Sequence, residues 1–419
     1  MAAPKLRFKE FDGDWNSIAI GKFLKIKSGL GFKAEEYSTE QEIRLLQIEN
    51  VGYGAVKWTH NVKFVPTNYL DVHKDLVLKE GDLVLALNRP VTNDQLKIAK
   101  LTQEDSPSIL YQRVGKLDFL KEDIDKEFIF QIFKKDVKNY VLNSSIGSDQ
   151  PFISTTDLYK HKLCIPLKEE QTKIASFLSA VDEKISQLTQ KHELLSQYKQ
   201  GMMQKLFSQQ LRFKADDGSE FGEWEEVKFS GIFNFHQTNS YSRALLAEYG
   251  EIMNIHYGDI HTKFSMLFDV NKESVPFLND EVDTSKIAKE QFLKVGDLVI
   301  ADASEDYKDI GKSIEVISLN NQKVVAGLHT YIARPVKPFA LGFCGYMMQT
   351  FPVREQIKKL ATGISVLGIS KTNLGKVELK VPSLEEQTKI ANFLSAIDQK
   401  IEVVVQQIEQ AKQWKKGLL

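Results

Sequence analysis

Residues 169–185 read EEQTKIASFLSAVDEKI, and residues 385–401 read EEQTKIANFLSAIDQKI. Fourteen of these 17 positions are identical at an offset of 216, so the chain is a duplication. The match widens at the same offset. Gly147, Ile153, Ser154, Thr156, Leu158, Lys160 and Pro166 return as Gly363, Ile369, Ser370, Thr372, Leu374, Lys376 and Pro382. Further out, LKEGDLVLA at 78–86 returns as LKVGDLVIA at 293–301, and RFKEFDGDW at 7–15 is echoed by RFKADDGSEFGEW at 212–224. Two copies of one unit therefore fill the 419 residues. Between the matching stretches, residues 24–145 and 234–361 share only scattered positions. The connectors are expected to do one job twice, and the globular parts two versions of one job.

From Ile174 the heptad positions advance by alternating steps of four and three. They are Ile174, Leu178, Val181, Ile185, Leu188, then His192, Leu195, Lys199, Met202 and Leu206. The second copy runs Ile390, Leu394, Ile397, Ile401, Val404, Ile408, Ala411, Lys415 and Leu418. Nearly all are apolar, which is the repeat of a coiled coil. Pro166 and Pro382 stand just ahead of each run, where a missing N–H interrupts no helical bond. The pairs Glu169-Glu170 and Glu385-Glu386 fall in the first turns and favour the positive helix end. No Gly or Pro breaks the first run before Gly201, so about 40 residues make a rod of about 60 Å.

Two readings of the rods are open: helices packed on their own domains, or helices paired with each other. So long a heptad run favours pairing. The first rod leads through Arg212-Phe213-Lys214 into the second globule, so equivalence requires the second rod to return to the start of the first. The expected fold is α+β: two globular domains separated by two long antiparallel coiled-coil helices, with a pseudo-two-fold internal repeat. The boundaries are 1–167, 168–211, 212–383 and 384–419. His192, Lys199 and Lys415 at seam positions either fix the register or lie at the seam edge with their tips in solvent. The first rod continues past its glycine as Met202-Met203-Gln204-Lys205-Leu206-Phe207, whereas the second reads Gly417-Leu418-Leu419; a shorter closure on the first globule and a trimmed C-terminus are equal explanations.

Within the globules, LVLKEGDLVLALN (76–88) and FLKVGDLVIADAS (292–304) each show a strand after a Gly-Asp turn. LLQIENVGYGAVKW (45–58) and IMNIHYGDIHTKF (252–264) read as strand–loop–strand. KEFIFQIFKKDVKNYVL (126–142) and FCGYMMQTFPVREQIKKL (343–360) are apolar-periodic and read as helices.

A hydrophobic fraction of 42% and a charged fraction of 26% describe a globular chain. The two cysteines, Cys164 and Cys344, offer neither a disulfide framework nor a cysteine zinc site. Met1-Ala-Ala-Pro-Lys has no apolar signal core, and no run approaches 18 apolar residues, so a cytoplasmic protein outside the membrane is expected. Enzyme signatures are missing. Gly311-Lys312-Ser313 ends like a phosphate-binding loop, but Asp306 stands where its first glycine must be. Gly52-Tyr53-Gly54 lacks the third glycine of a dinucleotide fingerprint, and no Pro-Pro dipeptide supplies an amine-methylating loop. His256 and His261 lack a third ligand at useful spacing and read as polar surface residues, with no metal site expected. Glu226-Val227-Lys228 resembles a nuclease half-site, but such triplets are common in a charged chain.

Binding remains. Duplex DNA is itself pseudo-two-fold, and paired modules read half-sites roughly 34 Å apart. Divergent globules on matching spacers suit a bipartite, asymmetric sequence. The alternative is a coiled-coil scaffold that binds protein partners without reading DNA. With 55 basic against 56 acidic side chains the net charge is −1. Tight DNA binders usually carry a basic surplus. Either the basic residues cluster on one face, or a partner supplies much of the phosphate contact.

The chain resembles the specificity (S) subunit of type I restriction-modification systems over essentially its whole length. The features that carry the resemblance are the two-copy layout, the Gly-Asp-Leu-Val strand of each globule and the Pro-x-x-x-Glu-Gln-x-x-Ile-Ala openings at Pro166–Ala175 and Pro382–Ala391. GSDQPFIS (147–154) also looks like the family's segment leading into the rod; GISVLGIS (363–370) keeps its Gly and Ile-Ser but lacks the Gln-Pro. The resemblance implies two target-recognition domains reading one half-site each. It implies helices that dock two modification (methyltransferase) subunits, which bring S-adenosylmethionine, with ATP-driven restriction subunits joining that core. The chain itself would be a non-catalytic, DNA-binding subunit without a cofactor, associated with the nucleoid. Arg and Lys suit guanine, Asn and Gln suit adenine, and loops after strands are the expected carriers. In the first globule these are Asn88, Arg89, Gln112 and Arg113; in the second, His256, Tyr257, Ser304 and His329.

Overall fold

The computed structural model describes residues 6–144 and 152–418. Residues 147–151 of the GSDQPFIS segment lie outside the described residues. The chain divides into two compact units, 1–188 with 407–419, and 189–406. Each unit thus owns one globule, the start of one long helix and the end of the other.

In the first unit a five-stranded sheet has the order Leu24–Ser28, Val114–Phe119, Leu83–Ala86, Ile98–Lys100, Tyr53–Ala55. Its central strand, LVLA, is buried on both faces. Leu83 and Leu85 join a core that includes Phe128, Phe133 and Val137 of the helix Lys126–Ser144. Val84 and Ala86 join a second core with Leu45, Leu46 and Ile109. Those residues come from a four-stranded sheet ordered Phe64–Val65, Ile43–Leu46, Ser108–Leu110, Val77–Leu78. A strand sandwiched between two cores reads as a continuous apolar run, which is why LVLA carries no alternation.

The second unit repeats this plan. Its five-stranded sheet is ordered Phe233–His236, Thr330–Pro335, Leu298–Ala301, Ser313–Ser318, Leu267–Asp269. Leu298 and Ile300 face one core, Val299 and Ala301 the other. The turn before each central strand is the expected Gly-Asp turn. Gly81 and Gly296 have φ of 78° and 89°, the left-handed region that favours glycine. The aspartate that follows clamps the turn to the neighbouring strand. Asp82 accepts from Lys79 N at 2.8 Å and Lys116 Nζ at 2.7 Å. Asp297 accepts from Lys294 N at 2.8 Å and from both Nε and Nη2 of Arg334 at 2.8 and 2.7 Å.

The α+β expectation holds, with two local corrections. The helix expected over 343–360 is two helices, Phe343–Met348 and Phe351–Leu360. Thr350 breaks the run in extended backbone with ψ 146°, and Pro352 falls in the first turn of the second helix, where its missing N–H interrupts no helical bond. The segment 252–264 is not strand–loop–strand. The strand Ile252–Ile255 runs directly into the helix Tyr257–Thr262, whose first turn His256 caps by accepting from Gly258 N at 3.1 Å.

The heptad runs form the helices Lys168–Phe207 and Leu384–Leu418. Leu178, Val181, Leu188, Ile390, Leu394, Ile397 and Val404 are buried, and Ile174, Ile185 and Ile401 half-buried. The helices are antiparallel within each unit. In the second, Lys199 Nζ lies 2.6 Å from the Asp398 carboxylate, while Phe207 packs edge-on to Trp224, whose indole donates to Glu386 at 3.1 Å. In the first, Lys415 pairs with Asp182, and Trp414 packs edge-on to Phe177. The two seam lysines are therefore bound to equivalent aspartates, and their tips are not left to solvent. No helix among the described residues is long and apolar enough to cross a membrane.

Each long helix is tied to its own globule by the second glutamate of its EEQ opening. Glu170 accepts two bonds from Arg7 at 2.7 and 2.6 Å and one from the Trp15 indole at 3.3 Å. Glu386 accepts two from Arg212 at 3.0 and 2.8 Å and one from Trp224. The glutamine that follows binds the entering loop: Gln171 and Gln387 each donate to the carbonyl of Pro166 or Pro382 at 2.9 Å. These bonds, more than helix-end electrostatics, explain why both copies keep the stretch.

Candidate nucleic-acid interface

In the first unit, Asn88 and Arg89 leave the end of the strand Leu83–Ala86, and Gln112 and Arg113 enter the strand Val114–Phe119. The strands are antiparallel neighbours, so all four residues come to one end of the sheet. Leu87 N donates to the Arg113 carbonyl at 2.9 Å, and Gln112 N to the Leu30 carbonyl at 2.9 Å. Asn88 is half-buried and bridges to Phe152; Arg89, Gln112 and Arg113 are exposed. Gly29 lets the neighbouring loop press close, since a Cβ there would meet the Tyr111 carbonyl at 2.4 Å. Tyr111 and Tyr37 share a hydroxyl–hydroxyl bond of 3.1 Å. That bond, with burial behind it, pushes the Tyr37 phenol up to about 12.

The second unit reproduces this sheet end with other side chains. Asp302 N donates to the His329 carbonyl at 3.1 Å, as Leu87 N does to Arg113. Ile153 N and Ile369 N close the arrangement on the carbonyls of Leu87 and Asp302, at 2.8 and 2.9 Å. The exposed imidazole of His329 has Nδ1 3.2 Å from the Asp302 carboxylate and stands perpendicular to the Tyr257 ring, centroids 5.4 Å apart. Tyr257 also contacts His256 and His261. His261 Nε2 lies 2.9 Å from the Ala303 carbonyl. Burial pushes the Tyr331 phenol up to about 12, with Asp302 adding to the effect.

Tyr257 and His329 therefore meet at this edge. The other two expected residues turn inward. Ser304 is buried, and its hydroxyl is used by its own loop, donating to the Asp306 carbonyl at 2.9 Å. His256, expected at the surface, is buried as the helix cap. Its pKa is lowered, first by burial and then by the Arg243 guanidinium, which keeps the ring neutral to accept from Gly258. Arg243 also pairs with buried Asp259 at 3.1 Å. Sequence reading gave no role to Arg243, took half-buried His261 for a surface residue and met Lys312 only in an incomplete phosphate-binding loop, whereas its ammonium donates to the His261 carbonyl at 2.7 Å. Lys312 had a signal: Lys97 takes the corresponding place in the first unit and donates to the Ile48 carbonyl at 2.6 Å. Arg243 had none.

Comparison with known proteins bears on this duplicated edge. The family profile described as "Type I restriction modification DNA specificity domain" matches residues 12–197 and again 222–413. The MjaVIII type I restriction enzyme specificity subunit of Methanocaldococcus jannaschii is 38% identical over 215 residues, 50% of this chain and 49% of that protein. The EcoAI specificity subunit of Escherichia coli is 28% identical over 180 residues, 42% of this chain and 29% of that protein. The chain thus spans half or less of these curated relatives. A type I restriction-modification S subunit from M. genitalium superposes with a TM-score of 0.59 at 15% identity, covering 98% of this chain and 96% of that one. A chain from a structural study of complex assembly and conformational transition of the type I R-M system gives 0.54 at 16% identity, covering 98% and 97%. These two likenesses speak for the fold alone. With two copies of the matching domain over most of its length, the chain belongs to the type I restriction modification DNA specificity family.

Proposed function

We propose that the chain reads a bipartite, asymmetric DNA site, one half-site per globular domain, and docks modification subunits through its long helices. The observation that carries this reading is one backbone arrangement with two sets of side chains. The Leu87–Arg113 and Asp302–His329 links are equivalent, yet one edge offers guanidinium and amide groups and the other an imidazole and a phenol. Equal supports with unequal side chains suit two different half-sites. The domain limits remain 1–167, 168–211, 212–383 and 384–419. S-adenosylmethionine and ATP belong on partner subunits, and this chain is the non-catalytic reader in a cytoplasmic, nucleoid-associated complex. A net charge of −1 limits its own grip on phosphates, so the modification subunits share it. Sequencing of methylated bases in cells carrying this chain and its neighbouring methyltransferase gene tests the reading. A gapped motif with two unlike halves is expected. A continuous motif, or none despite an active methyltransferase, would contradict it.

A further inference from the structure

At one equivalent place of the sheet end each unit holds a residue in left-handed backbone: Arg113 with φ 66° and His329 with φ 55°. The two are structurally equivalent, because each carbonyl receives the link from Leu87 N or Asp302 N at the end of the central strand. Glycine adopts this backbone without the steric penalty that other residues meet. The chain nevertheless keeps a long polar side chain there in both copies, and a different one in each. Strain retained at one place twice points to a task for the side chain.

The arginines supply a second, independent observation. Arg7, Arg212, Arg243 and Arg334 pair with carboxylates, Arg354 with two carbonyls, and Arg44 lies over the Trp58 ring. The other two arginines are Arg89 and Arg113, whose guanidinium groups have no hydrogen bond or ion pair among the described residues. Both are exposed, both left-handed, with φ 44° at Arg89, and their strands end side by side. Guanidinium groups without a partner among the described residues suit the bidentate bond that O6 and N7 of guanine accept. At His329 the Asp302 carboxylate makes Nδ1 the donor and leaves Nε2 an acceptor in the neutral ring. An acceptor suits the exocyclic amine of adenine or cytosine.

We infer that Arg113 and His329 are one base-reading position present twice: Arg113 contacts a guanine in the first unit's half-site, and His329 an exocyclic amine in the other. This rests on the bipartite reading proposed above. The test uses the chain assembled with its modification subunits, acting on duplexes that carry its methylated motif. The variants are Arg113→Gly, His329→Gly and, as a control for glycine in left-handed backbone, Asn321→Gly, an exposed residue with φ 59° in the turn after Ser313–Ser318. Arg113→Gly is expected to leave the melting temperature unchanged or higher and to slow methylation about ten- to hundredfold. Discrimination against replacing one G·C pair should vanish in one half-site only. His329→Gly should relax the other half-site, and Asn321→Gly neither.

Full base discrimination retained by a folded Arg113→Gly complex would overturn the inference, as would a first half-site without a G·C pair. A fall in melting temperature matching the lost activity would make the residue structural and overturn it too. In these cases a bipartite motif survives, so the proposed function stands. If both variants relax the same half-site, the reading of one half-site per domain falls with the inference.

Discussion

Glu386 sits beside Glu385 in the sequence and does a different job. Glu385 is exposed, whereas Glu386 is buried and takes three bonds from Arg212 and Trp224. Removing the charge from a buried, multiply bonded carboxylate leaves the guanidinium without its anion. Glu386→Gln is expected to destabilise the second unit by about 3 kcal/mol, and Glu385→Gln by under about 0.5 kcal/mol. Calorimetry on the two variants decides; equal losses would refute the assignment. The sequence held part of this, since Arg7 and Trp15 recur as Arg212 and Trp224. It did not show what those residues hold, because an insertion separates them differently in the two copies and their partner lies more than 150 residues away. The same limit applies at the candidate interface. A polar residue after a strand looks alike in sequence whether it faces solvent, as Arg89 does, or closes its own loop, as Ser304 does.

The long helices were the most legible elements, because a seven-residue apolar period kept over so many turns is the mark of a coiled coil. What periodicity could not assign was the role of polar residues on the seam. Lys199 meets Asp398 at 2.6 Å in the second unit and Lys415 meets Asp182 in the first. Both partners are half-buried, so the pairs act on register more than on net stability. Lys199→Asp is expected to lower the melting temperature of the second unit, and adding Asp398→Lys to recover most of the loss. A double variant no better than the single would show that the pair does not set the register. The helix expected over 343–360 shows the converse failure. Its apolar period runs through Thr350 unbroken, while the backbone does not.

At the scale of the molecule, the duplication gives two units with one order of the five-stranded sheet, one Gly-Asp clamp and one glutamate tie apiece. Duplication was readable because the connectors stayed alike. The equivalence of Arg113 and His329 was not, because the residues that differ most between the copies lie at the edges that the shared framework presents. That division into constant support and variable edge predicts modularity. The most direct measurement replaces residues 24–145 with the matching region of a relative of known specificity and sequences the bases methylated by the assembled complex. One half of the motif is expected to change to the donor's and the other half to stay. A motif changed in both halves, or in neither while methylation persists, would contradict modularity.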